Sequence, residues 1–272
     1  MKRWAKRMLL GVWLVVGLSA IAKGGGAEFA VRVEDPESLL GDRSVAFKRT
    51  VEAAAGMWGE HLAGEARIEV LVILKPGEGR ASCRCPSMVQ IGKHGANRLF
   101  EPSAIAKLKG REVNTGGQPD IEITVMGAYL KDLWFDPEPE KREAVIPRDK
   151  LDALSLFMHE IAHAIGFNGW LDEKTGKPKS DMVSTYDQRI IFEEGRFYFV
   201  GLRAMKVYGG PVPLSTETNN YHHVGLKGVE YPEMLVDDLM NGVVFQREDR
   251  FSITPLDLAI LADAGVELKG GQ

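Results

Sequence analysis

Apolar side chains recur along this chain with two periods, and the switches between them mark its elements. Phe29 to Val33 alternates apolar and polar, period two, and predicts a short strand. Asp35-Pro36-Glu37-Ser38 then turns the chain. From Val45 to Leu62 the apolar positions (Val45, Phe47, Val51, Ala54, Ala55, Trp58, Leu62) fall at helical spacing and predict a long amphipathic helix. His61 sits near its end, where a cation suits the helix dipole, and reads as structural. Arg67 to Leu74 makes a second strand, closed by Lys75-Pro76-Gly77. Residues 77–119, rich in Gly, Pro, Ser and Asn, read as loops with short strands.

Asp120 to Met126 alternates clearly and predicts a third strand. After the rigid turn Asp136-Pro137-Glu138-Pro139-Glu140, good helix formers run from Leu151 to Ile165. Asp149 or Asp152 is placed to cap that helix, and Gly166 to end it in a left-handed turn. Further on, Asp187–Phe192 and Arg196–Val200 flank Glu193-Glu194-Gly195 as a hairpin. Thr254 caps and Pro255 opens a last helix, Leu256–Ala264, which Gly265 ends. The order predicts an α+β fold, a mixed twisted sheet carrying two long helices. It divides into a subdomain over residues 28–168 and a C-terminal subdomain over residues 169–272.

The N-terminus has a different character. Lys2, Arg3, Lys6 and Arg7 precede an apolar run from Met8 to Ala22 that ends Ala20-Ile21-Ala22, the order of a secretory signal peptide over residues 1–22. The run is about 15 residues, short of the roughly 20 that span a bilayer. A secreted, periplasmic or extracellular location is expected, with no membrane attachment beyond that segment. Its removal leaves about 250 residues, of which the predicted subdomains take up 28–272, and takes the formal charge from −4 to −8. With no basic block in that acidic remainder, nucleic acid is not expected as a partner. The two cysteines, Cys83 and Cys85, flank a single residue; a bridge between them would close a small strained ring, so a local disulfide or free thiols are both open. A Cys83–Cys85–His94 metal site lacks a fourth ligand nearby.

The candidate chemistry lies in the second long helix. His159-Glu160-Ile161-Ala162-His163 is H-E-x-x-H, and positions four apart on a helix share a face, so both imidazoles can hold one metal ion. Glu160 is then placed to act on a water at that ion. Apolar flanks (Phe157, Met158, Ile161, Ala162, Ile165) predict a buried helix, where two histidines and a glutamate would be costly unless a cation satisfied them. A catalytic zinc takes three protein ligands and one open position, so a third is required. Glu193 and Glu194, the nearest acidic pair, fall on a hairpin turn, a poor place for it.

His159 through Gly166 resembles the first eight positions of the metzincin zinc-peptidase signature, H-E-x-x-H-x-x-G-x-x-H. The position of the signature's third histidine is Gly169 here, a departure that excludes the short form. The leishmanolysin branch of that family inserts a long segment before the third histidine, and Tyr221-His222-His223-Val224-Gly225 lies where such an insertion would end. The resemblance favours His223, with His222 as the alternative. Asp237-Asp238-Leu239-Met240-Asn241-Gly242 resembles the family's Met-turn, with Met240 as its structural methionine, and residues 253–263 resemble its closing helix. The likeness covers roughly residues 120–266.

It implies a metzincin-like fold, one catalytic zinc ion on His159, His163 and His223, and Glu160 as general base and acid in peptide hydrolysis. Protein or peptide substrate would lie extended along an edge strand, for which Asp120–Met126 is the candidate; Tyr221 is the candidate hydroxyl for the oxyanion. Two other functions fit the motif: a non-catalytic zinc-stabilised extracellular binding module, and a zinc hydrolase of a non-peptide substrate. Asp237-Asp238 offers carboxylates to calcium but forms no recognisable calcium loop. Nothing in the pattern specifies an oligomeric state.

Overall fold

A computed structural model of the chain describes residues 26–215, 221–225, 233–242 and 247–271; the expected signal segment, 1–22, lies outside the described residues. No described helix is long and apolar enough to cross a membrane. The alternating runs near the N-terminus form β1 (Ala27–Glu34) and β2 (Ala66–Lys75), joined through α1 (Ser44–His61) and paired in parallel, the pairing a helical crossover permits. Residues 77–119 hold more order than their composition predicts. They contain β3 (Ala81–Arg84), the hairpin β4 (Met88–His94) and β5 (Asn97–Pro102), and a helical turn and a half, α2 (Ser103–Leu108).

Next comes β6 (Ile121–Met126), and its place corrects an expectation. It pairs in parallel with β2 and antiparallel with β3, giving the order β1-β2-β6-β3, so it is interior. The edge strands are β1 and β3, and β3 is the one beside the H-E-x-x-H helix. Edge strands are commonly short and polar, which is why Ala81-Ser82-Cys83-Arg84 carries little strand signal. Asp120, just before β6, is fully buried and its charge is met on all sides. It accepts from Ser103 Oγ and Lys107 Nζ on α2, both at 2.7 Å, and from the backbone of Glu69 on β2.

A two-residue ladder of β7 (Leu133–Trp134) with β8 (Leu151–Asp152) leads directly into α3 (Ala153–Ile165). Asp152 is the N-cap, accepting from Ser155 N and Ser155 Oγ. α3 lies against α1. The Trp58 indole donates to Met158 O at 2.8 Å, and Phe47 meets Phe157 edge-on at 5.2 Å. Gly166 ends α3 with φ near 177°, not in the left-handed region; a side chain there would run into Leu261, so close packing requires the glycine.

Beyond it, β9 (Met182–Ser184) joins β5, and β10 (Ile190–Glu193) and β11 (Arg196–Phe199) form the expected hairpin around Glu194 and Gly195. α4 (Leu202–Tyr208) and β12 (Val212–Pro213), which pairs with β11, follow; then α5 (Glu233–Val236) and α6 (Pro255–Asp263). α6 starts on a capping box in which Thr254 and Asp257 each accept from the other's backbone. The result is a mixed α and β fold with several sheets. One apolar core runs from Val31 to Val266, through both halves.

Candidate metal centre

α3 is buried along nearly its whole length, and only side chains on one face reach a cleft of about 750 Å³ between α3 and β3. His159, Glu160 and His163 border that cleft, as do His222 and His223. The Nε2 atoms of His159, His163 and His223 converge, with separations of 3.0, 3.1 and 3.1 Å. Among the described residues this is the one group of three or more His, Cys, Asp or Glu side chains arranged to hold a metal ion. A tetrahedral ion with bonds of about 2.0–2.1 Å to imidazole would set these atoms roughly 3.3 Å apart, so the triad needs to open by only a few tenths of an ångström.

The backbone fixes how the imidazoles present themselves. His159 Nδ1 donates to Leu239 O at 2.8 Å, and His163 Nδ1 donates to Phe167 O at 2.9 Å. A carbonyl can only accept, so the proton sits on Nδ1 and the Nε2 lone pair faces the shared point. Burial, with the mutual repulsion of His159 and His163 second, holds the His159 pKa down to about 3; burial likewise lowers His163 to about 4. Both rings are therefore neutral and ligand-ready. The Nε2 lone pairs of His159 and His163 thus meet His223 Nε2 at contact distance, an arrangement that a shared cation would satisfy. The residues fit a metal ion of the imidazole-binding kind.

Glu160 is 6% exposed, and its carboxylate has no hydrogen-bond partner among the described residues. Burial alone raises its pKa to about 8; a cation beside it would favour the carboxylate form.

His223 reaches the triad because its segment is clamped from several sides. Ser215 N donates to His223 O, Val224 N to Met240 O, and Gly242 N to Val224 O. Met240 is fully buried, and the carbonyl of its neighbour Leu239 is the acceptor for His159. The turn is in turn fastened to α6: Asp238 accepts from Met240 N and from Thr254 Oγ1.

His222 points elsewhere. Its Nε2 donates to Gly169 O at 3.2 Å, and the ring lies against Tyr221. Tyr221 itself does not face the cleft as an oxyanion donor. Its hydroxyl donates to Asp187 Oδ1 and accepts from Leu171 N, both at 2.9 Å, and the residue is 2% exposed. The expected role for it is thus corrected. The phenol that does border the cleft is Tyr129, from the turn after β6, a segment that carries no motif. Glu193 and Glu194 are exposed at their hairpin turn, and Cys83 and Cys85 are free thiols along the cleft wall. Comparison with protein-family models, curated proteins and solved structures found no significant match.

Proposed function

We propose that this protein is an exported zinc-dependent endopeptidase of the metzincin type. The observation that carries the reading is the convergence of three imidazole nitrogens beside an unpartnered glutamate in an open cleft. Zinc is the ion favoured by three imidazoles with a position left open. When bound, zinc supplies Lewis acidity, acidifying a water molecule and polarising a substrate carbonyl.

The chain's own residues do the rest. The carbonyls of Leu239 and Phe167 hold His159 and His163 with Nε2 aimed inward, so the ligand set is preorganised. Glu160 takes the proton from the attacking water as its oxygen adds to the carbonyl carbon, then delivers that proton to the leaving nitrogen. Burial keeps bulk water from solvating this carboxylate, which makes it a stronger base toward the one water beside it. β3 has a partner on one side only, so its other edge can pair with an extended peptide backbone next to α3. The fold family and the N-terminal signal segment belong to the same reading, on the motif, the clamped Met240 turn and the basic-then-apolar run before Ala22.

The test is hydrolysis of an unfolded protein by the purified, zinc-loaded protein and by Glu160→Ala. Loss of cleavage on chelation, its return with zinc, and a fall of roughly 10²–10⁴ in kcat for Glu160→Ala are expected, with zinc stoichiometry unchanged in the variant. No zinc-dependent cleavage in the unaltered protein would sink the reading and favour a non-catalytic zinc module.

A further inference from the structure

The cleft has a charged feature that the hydrolytic step does not use. Arg80 immediately precedes β3, and its carbonyl accepts from Met126 N at the end of β6. That pairing sets Arg80 beside the turn Gly127–Lys131, which carries Tyr129. Both side chains border the same cleft as Glu160.

Their hydrogen-bonding capacity is unspent. The Arg80 side chain is exposed and forms no ion pair or hydrogen bond among the described residues, and the Tyr129 hydroxyl likewise has no such partner. Neighbouring arginines differ. Arg84 is held by Glu122 through two hydrogen bonds of 2.7 and 2.9 Å, and Arg247 by Asp132 and the Asp149 carbonyl. Electrostatics ties the free pair to the reaction centre: burial raises the Tyr129 pKa, Arg80 lowers it and Glu160 raises it, so both charges are felt at this hydroxyl. Glu160 is the only carboxylate among the described residues that border the cleft. A guanidinium and a phenol therefore face a cleft without an acceptor of their own.

We propose that Arg80 and Tyr129 form a subsite for a peptide carboxylate, supplied by an Asp or Glu side chain or by the peptide's own C-terminus. The proposal rests on the peptidase reading for its occupant, a chain lying along β3. A carboxylate accepts two parallel N–H bonds from the Arg80 fork and one from the Tyr129 hydroxyl, which a neutral amide does less well. Because Arg80 is exposed, the preference is modest and salt-sensitive, roughly 3- to 30-fold at low ionic strength.

The experiment measures binding to the chelated, metal-free full protein, so that no metal ion competes for the carboxylate. Acetylated, amidated peptides carrying Glu are compared with Gln isosteres, and a free C-terminal acid is compared with its amide. Either acid binding several-fold tighter than its amide supports the proposal and names the source. The ratio should fall to about one in Arg80→Met, fall partly in Tyr129→Phe, return in Arg80→Lys, and invert toward Lys-containing peptides in Arg80→Glu. A ratio near one in the unaltered protein, a ratio unchanged by Arg80→Met, or no binding at millimolar peptide would overturn it. The two readings separate cleanly. A binding preference without zinc-dependent hydrolysis removes the peptidase and keeps the subsite; hydrolysis with no acid-to-amide difference does the reverse.

Discussion

The hydroxyl of Tyr221 donates to Oδ1 of Asp187 at 2.9 Å, and this buried pair occupies the space that a side chain at position 169 would need. The backbone N–H groups of Trp170 and Ser184 bond the other oxygen of Asp187. The pair is thus a fixed post around which the chain turns after α3. It explains why the third imidazole arrives from His223 and not from a residue three past Gly166. Gly169→Ala should cost about 1–3 kcal/mol, since the added carbon meets both Asp187 and Tyr221. Urea unfolding of the variant checks this; a loss below a few tenths would mean that the post can move aside. Gly169→His should not rebuild a short motif in a His223→Ala background.

His222 and His223 are neighbours with opposite duties. Only His223 Nε2 lies within 3.1 Å of both other imidazoles, whereas His222 Nε2 is spent on Gly169 O. His223→Ala should abolish stoichiometric metal binding. His222→Ala should keep one ion per chain and weaken it by about 10- to 100-fold at most, the range for loss of a supporting group. Metal analysis after gel filtration, with competition against a chelating dye, measures both. Retained metal in the first variant, or its loss in the second, reverses the assignment.

What the pattern made legible follows from how strongly each feature depends on local spacing. α1, β2, β6 and α3 carry long periodic runs, and each lies within two or three residues of its expected bounds. His159, Glu160 and His163 follow from helix geometry alone. β3 did not stand out, because four residues paired on one side need no hydrophobic alternation. α2 was hidden in a Gly- and Ser-rich stretch, its stability coming from the nonlocal Asp120 contacts. Tyr129 and Arg80 become neighbours only through the register of β3 on β6. Tyr221 looked functional by its place beside His222; its true partner, Asp187, is 34 positions away and invisible to spacing.

Beneath the Met240 turn, two acids meet. Asp238 and Asp257 are both almost wholly excluded from water, and burial raises both carboxyl pKa values, with the charge of Asp238 raising Asp257 further. A raised folded-state value means that the native protein binds more protons than the unfolded chain. Stability from this pair is therefore fully present below the unfolded carboxyl range, about pH 4, and is lost as pH rises through the folded values. Asp257→Asn keeps an oxygen for Thr254 N and removes the repelling charge. The variant should gain stability relative to the unaltered protein as pH goes from 4 to 8. Denaturant unfolding at a series of pH values tests the sign. A difference flat in pH would show that the pair carries no shared proton.

The frame behind the site is the contact of α1 with α3, and Trp58 is its polar pin. Its indole N–H reaches the carbonyl of Met158, the residue immediately before His159, in fully buried surroundings. Trp58→Phe removes that donor and leaves a void where the larger ring lay, at a cost of about 2–4 kcal/mol. If this bond holds α3 in place against the motions that separate the three nitrogens, a bound metal ion should dissociate faster from the variant even under conditions where it is wholly folded. Dissociation into excess chelator, followed well below the unfolding midpoint, reads this separately from global stability. A destabilised variant that releases the ion at the original rate would locate the rigidity of the triad in α3 and the Leu239 carbonyl alone.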